Sequence, residues 1–130
     1  MALFINRVPV NKPKLHLDNL TDEEIFATTR FPRAAVEELC VLLNDDLERG
    51  TRRCNALAVD TQVLTALQFY SSGSFQWVVG RSTGLSQPAV SRAVNGVTQA
   101  LCKLANVAIV FPTSQQQITA NCSEISCNVK

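Results

Sequence analysis

Two stretches of helical apolar spacing meet at Gly84, and that meeting constrains the fold more than any other feature. Val79 is apolar five positions before this glycine and Gly80 is small four before it. Leu85 is apolar just after, and Val90 and Ala93 follow at six and nine. A glycine supplies the positive φ that a tight turn between helices requires, and a small residue one turn earlier lets two helices cross closely. Ser86 and Pro88 then restart the chain as a helix, because serine suits the cap and proline forfeits no intrahelical bond in a first turn. The set resembles the helix-turn-helix pattern, whose second helix runs on here through Val94, Val97, Leu101 and Leu104.

The preceding chain repeats the helical period without a strand-like alternation. Thr21 and Glu24 have the spacing of a capping box, predicting a helix from Asp22 to about Arg30. Phe31-Pro32 interrupts it, with the proline suited to the first turn of the next helix. From Pro32 to Glu48, Val36, Leu39, Cys40, Leu43 and Leu47 form one apolar stripe, stopped by Gly50 and followed by a basic connection from Thr51 to Asn55. A third helix spans about Val59 to Tyr70, with Val63, Leu64, Leu67 and Tyr70 as its inner face and Ser71 to Gly73 as its stop. Ser74 is placed to cap a brief helix through Phe75, Gln76, Trp77, Val78 and Val79, whose aromatics are expected in the core. Val107 to Phe111 fits a helix end or a lone strand equally. The expected fold is therefore all-α, a helical bundle containing a helix-turn-helix. It divides into a flexible basic arm (1–20), a helical domain (21–112) and a polar, disordered tail (113–130).

The charge is unevenly placed. Residues 18–48 hold nine acids against Arg30 and Arg33, whereas from Arg49 onward seven bases face only Asp60 and Glu124. A polyanion would meet the second half; the alternative is two ordinary solvated surfaces of opposite sign. If Val90, Ala93, Val94 and Val97 point inward, Gln87, Ser91, Arg92 and Asn95 share the outer face near the helix start. Arginine can reach guanine O6 and N7, glutamine or asparagine can pair with adenine, and serine can bond base or phosphate. Ser86 and Arg81 are placed for phosphate, with the helix N-terminus beside them. The competing reading is a helical hairpin with a merely solvated polar face.

Catalytic and metal chemistry find little here. His16 is the only histidine, no nucleophile elbow or phosphate loop is present, and the five cysteines (Cys40, Cys54, Cys102, Cys122, Cys127) lack paired metal-ligand spacing. No apolar run is long enough to span a bilayer, and the N-terminus lacks the features of an export signal, so an intracellular address with reduced thiols and no membrane partner is expected.

The stretches TRFPRAAVEEL, DTQVLTALQFYSSGSFQ, GRSTGLSQPAVSRAVNGVTQAL and IVFP, in that order, resemble the N-terminal region of the Harbinger transposase-derived nuclease family, from about Asp22 to Pro112. The resemblance implies an all-helical domain ahead of an RNase H-like nuclease domain, where three acids hold divalent metals. It also implies a nuclear location, with the cytoplasm as a second address, and a Myb-like protein partner. After IVFP the chain departs into TSQQQITANCSEISCNVK. The expectation is a chain truncated before the nuclease domain, by splicing or an incomplete gene model, with no catalytic residue to carry over and no cofactor of its own. Three functions follow as expectations. The first is binding of double-stranded DNA without cutting, the second a piece of a metal-dependent nuclease, and the third a docking surface for the Myb-like partner or a second copy of the chain.

Overall fold

The computed structural model describes residues 15–48 and 56–109, together with positions 115, 116, 118–120 and 122. The described residues are all-α. A single 3-10 turn at Leu17–Asn19 precedes α1 (Asp22–Thr29), α2 (Arg33–Leu47), α3 (Val59–Ser72), α4 (Gln76–Thr83) and α5 (Gln87–Ala108). Residues 115, 116, 118–120 and 122 are helical. The expected stop at Gly50, the basic connection and most of the arm lie outside the described residues, as do Val110 and Phe111. Val107 and Ala108 end α5.

The helix boundaries follow from local chemistry. Thr21 and Glu24 form both halves of the capping box at the start of α1. Pro32, rather than sitting inside the first turn, is the cap residue of α2, with extended backbone (ψ 154°). α3 runs two residues past Tyr70 and stops at Gly73, whose φ of +59° is open to glycine at no steric cost.

α3 is the central element and packs against the 3-10 turn and every other helix. Its run from Thr61 to Leu67 is buried apart from Gln62. Ile25 of α1, Val36, Leu43 and Leu47 of α2, Val79 of α4, and Val90, Val94, Val97 and Ala100 of α5 close around it. Three of the four buried threonines do not break this apolar interior, because their hydroxyls bond back to the preceding turn. Thr65 donates to Thr61 O (2.7 Å), Thr29 to Ile25 O (2.7 Å) and Thr83 to Val79 O (2.9 Å).

Order begins before the expected Thr21, and Asp60 is the reason. Its Oδ2 accepts from His16 Nδ1 (3.0 Å) and the Leu17 N–H (3.2 Å), its Oδ1 accepts from the Thr61 N–H (2.7 Å), and Thr61 Oγ1 donates to Leu15 O (2.8 Å). The end of the arm is thereby fixed onto the first turn of α3, with Leu17 buried beneath it. Burial pushes the Asp60 carboxyl up, but the His16 bond and the two backbone N–H bonds outweigh it and leave the group below its ordinary value. A carboxyl lowered on folding stabilises the fold above the ordinary carboxylate range and loses that contribution as pH falls through the folded value. Asp60→Asn should therefore cost about 1–3 kcal/mol near pH 7. Urea midpoints of the variant and the parent should converge below about pH 4. A gap of equal size at pH 7 and pH 3 would remove the carboxylate from this role.

Candidate nucleic-acid interface

α4 and α5 form the candidate site, and the geometry of their crossing is set at Gly80. A β-carbon at that position would lie 2.6 Å from the Leu85 carbonyl oxygen and 3.5 Å from Val90 Cγ2. The absent side chain is what admits the start of α5. The Gly84 N–H and the Leu85 N–H both donate to Gly80 O, closing the end of α4, and Gly84 takes φ +74° as the turn requires. α4 is fixed on its other flank, where Gln68 Nε2 of α3 donates to Ser82 Oγ (2.9 Å).

Two capping expectations need correction. Phe75, not Ser74, precedes the first turn of α4, and its carbonyl accepts from the Val78 and Val79 N–H groups. Ser74 instead bonds through its own N–H to Ser72 Oγ, within the turn that leaves α3. Ser86 does occupy the cap position of α5, yet its hydroxyl makes no capping bond. The Ala89 N–H turns to Ser86 O (2.9 Å) and Pro88 has no N–H, so the helix start asks little of the Ser86 side chain. That hydroxyl stands exposed and uncommitted at a helix N-terminus.

The polar face of α5 lies where the periodicity puts it. Val90, Ala93, Val94 and Val97 are buried, and Gln87, Arg92 and Asn95 are exposed, with Ser91 half-buried between them. Arg92 folds back along the helix and donates from Nε to Pro88 O (3.2 Å), which steadies the guanidinium and leaves its two terminal nitrogens without a partner among the described residues. Arg81 lies apart, on the exposed side of α4. No acid occurs between Asp60 and Glu124, so α4 and α5 carry none. Most of the described acids sit on α1 and α2, where Arg33 is held by Asp22 and Glu37, and Asp46 pairs with Lys103 of α5.

The largest departure from the sequence reading concerns the aromatics of α4. Phe75 is 77% exposed and Trp77 50% exposed, and neither belongs to the core. Only Val79, Gly80 and Thr83 of α4 are buried. The signal was present in the period of these three, since a helix of eight residues that turns positions 79, 80 and 83 inward must turn 77, 78 and 81 outward. Arg81 Cζ lies 5.9 Å from the Trp77 ring centroid, over the ring.

Among the described residues, no three His, Cys, Asp or Glu side chains gather to hold a metal ion. Burial, then Asp60 and Glu37, push the Cys40 thiol up to about 11, which keeps it protonated and a poor ligand or nucleophile. Cys54 and Cys127 lie outside the described residues. No helix among those described is long and apolar enough to cross a membrane.

No protein-family model matches the chain, and no solved structure matches it. Curated relatives do. Over 107 residues the chain is 43% identical to a human protein named "Putative nuclease HARBI1", a match covering 82% of this chain and 31% of that protein. It is 40% identical over 105 residues to the Xenopus laevis protein of that name (81% and 30%) and 41% identical over 107 residues to the Bos taurus one (82% and 31%). The chain thus matches about 30% of the length of these relatives.

Proposed function

We propose that this chain, a homologue of the Harbinger transposase-derived nucleases over four-fifths of its length, is a helix-turn-helix module that binds double-stranded DNA. One observation carries the reading: the close crossing at Gly80 fixes an acid-free helix pair whose outer face aligns Gln87, Ser91, Arg92 and Asn95. In this reading α5 enters the major groove. Arg92 approaches guanine O6 and N7, Gln87 and Asn95 approach adenine N6 and N7, and Ser91 reaches either a base edge or a phosphate. The uncommitted Ser86 hydroxyl and Arg81 take backbone phosphates on either side.

The relatives' name speaks of a nuclease, and hydrolysis by two metals needs carboxylates that hold ions about 4 Å apart. The described residues do not fit that requirement, so our proposal assigns them the finding of DNA and not its cutting. In this reading the module acts in the nucleus.

With few bases on the face, affinity should rest on a small number of phosphate contacts and fall with salt at a slope of about one log unit for each of them. Titration of duplex DNA across a salt series should give a straight log–log plot of negative slope. Arg92→Ala should weaken binding about 5- to 100-fold and flatten the preference at one base pair in a selection from random duplexes. Binding indifferent to salt would overturn the proposal, and an unchanged base profile in Arg92→Ala would remove Arg92 from the reading set.

A further inference from the structure

Resting on that DNA-binding reading, we infer that Trp77 and Arg81 form a cation–π clamp on α4 for a backbone phosphate of the bound duplex, with Trp77 as the residue that positions the arginine. Arg81 rides over the indole and, among the described residues, makes no ion pair and no side-chain hydrogen bond. Arg33 differs in each respect: it is tied to Asp22 and Glu37 and donates to the carbonyls of Leu17 and Leu20, a structural brace with nothing left for a ligand. A guanidinium held over an aromatic face keeps N–H groups turned away from the ring, where two donors can meet two phosphate oxygens. The contact with the ring also restricts beforehand a side chain that otherwise loses much rotamer freedom on binding.

The position fits this role. Trp77 and Arg81 are four apart on one face of α4, beside the side on which Gly80 meets Leu85 and Val90 of α5. α4 is a firm base for them, because Val79 and Thr83 are buried and Ser82 is bonded to α3. The occupant is a polyanion on grounds of charge, since neither helix carries an acid that would repel it or compete for the arginine.

Trp77 is the single tryptophan of the chain, so its emission reports on its own site. In the full chain, saturating duplex DNA should change that emission. By anisotropy of a labelled duplex, Trp77→Leu should bind about two- to five-fold more weakly, Trp77→Phe should recover most of the loss, and the base profile should not move. Arg81→Ala should lower the salt slope by about one, and adding Trp77→Leu to it should change nothing further. Matching thermal unfolding curves for the parent and its four variants separate this from a folding defect. Emission unmoved by saturating DNA, or losses that multiply in the double variant, would overturn the clamp while leaving the α5 reading intact. A parent chain that binds no duplex at low salt would bring down both, and would turn the exposed α4 aromatics toward a protein partner.

Discussion

Gly80→Ala should destabilise the chain, although alanine is worth about 1 kcal/mol more than glycine in a helix interior. Propensity alone gives the opposite sign. The new β-carbon would lie 2.6 Å from the Leu85 carbonyl oxygen, a backbone atom that no side-chain rotation can remove. Either α4 and α5 separate or the turn at Gly84 distorts, and overpacking of this kind costs about 1–3 kcal/mol. Gly96 supplies the control within α5. A β-carbon there would meet Leu47 Cδ2 at 3.6 Å, an ordinary contact, so Gly96→Ala should raise stability by up to about 1 kcal/mol. Urea unfolding followed by helical circular dichroism reads both. Two stabilising substitutions would mean that the close crossing is not what Gly80 is for.

The contrast between these two glycines shows where local sequence carries structural information and where it does not. Thr21 with Glu24, Pro32 and Gly84 act within a few residues of themselves, and each takes the conformation that its chemistry favours. The apolar stripes of α2, α3 and α5 are legible for the same reason, since the helical period alone decides which residues share a face. Tyr70 is the exception at the edge of its stripe: the residue is 44% exposed and its hydroxyl meets Thr98. The docking of the arm was not legible, because His16 and Asp60 are separated by 44 positions and nothing near either one announces the other. Ser74 and Ser86 failed as side-chain caps because residue type says which groups can bond, while the turn geometry around Phe75 and Pro88 decides which do. Trp77 was misplaced by reasoning from hydrophobicity alone. Its helix is too short to bury more than one narrow face, and that face is taken by the contacts of Gly80.

The candidate interface also makes a prediction at one step of register. Val90 is fully buried against the Gly80 crossing, and Gln87, one turn earlier on α5, is exposed. Val90→Asp would place a carboxylate in the apolar contact with no base near enough to pair it, a cost of more than about 4 kcal/mol. Against a total stability of about 5–15 kcal/mol, such a loss should leave much of the chain unfolded at room temperature. Gln87→Glu adds the same charge at the first position of the same helix. There the helix dipole favours it by about 0.3–1 kcal/mol, so the melting temperature should hold or rise slightly. Duplex DNA, however, would bring its phosphates and base acceptors toward that carboxylate, and binding should weaken by about ten-fold or more at low salt. The pair therefore separates the inner face of α5, which holds the fold, from the outer face proposed to meet the nucleic acid. If Gln87→Glu binds DNA as the parent does while remaining folded, the N-terminal turn of α5 does not face the duplex, and the reading helix must be sought elsewhere on the molecule.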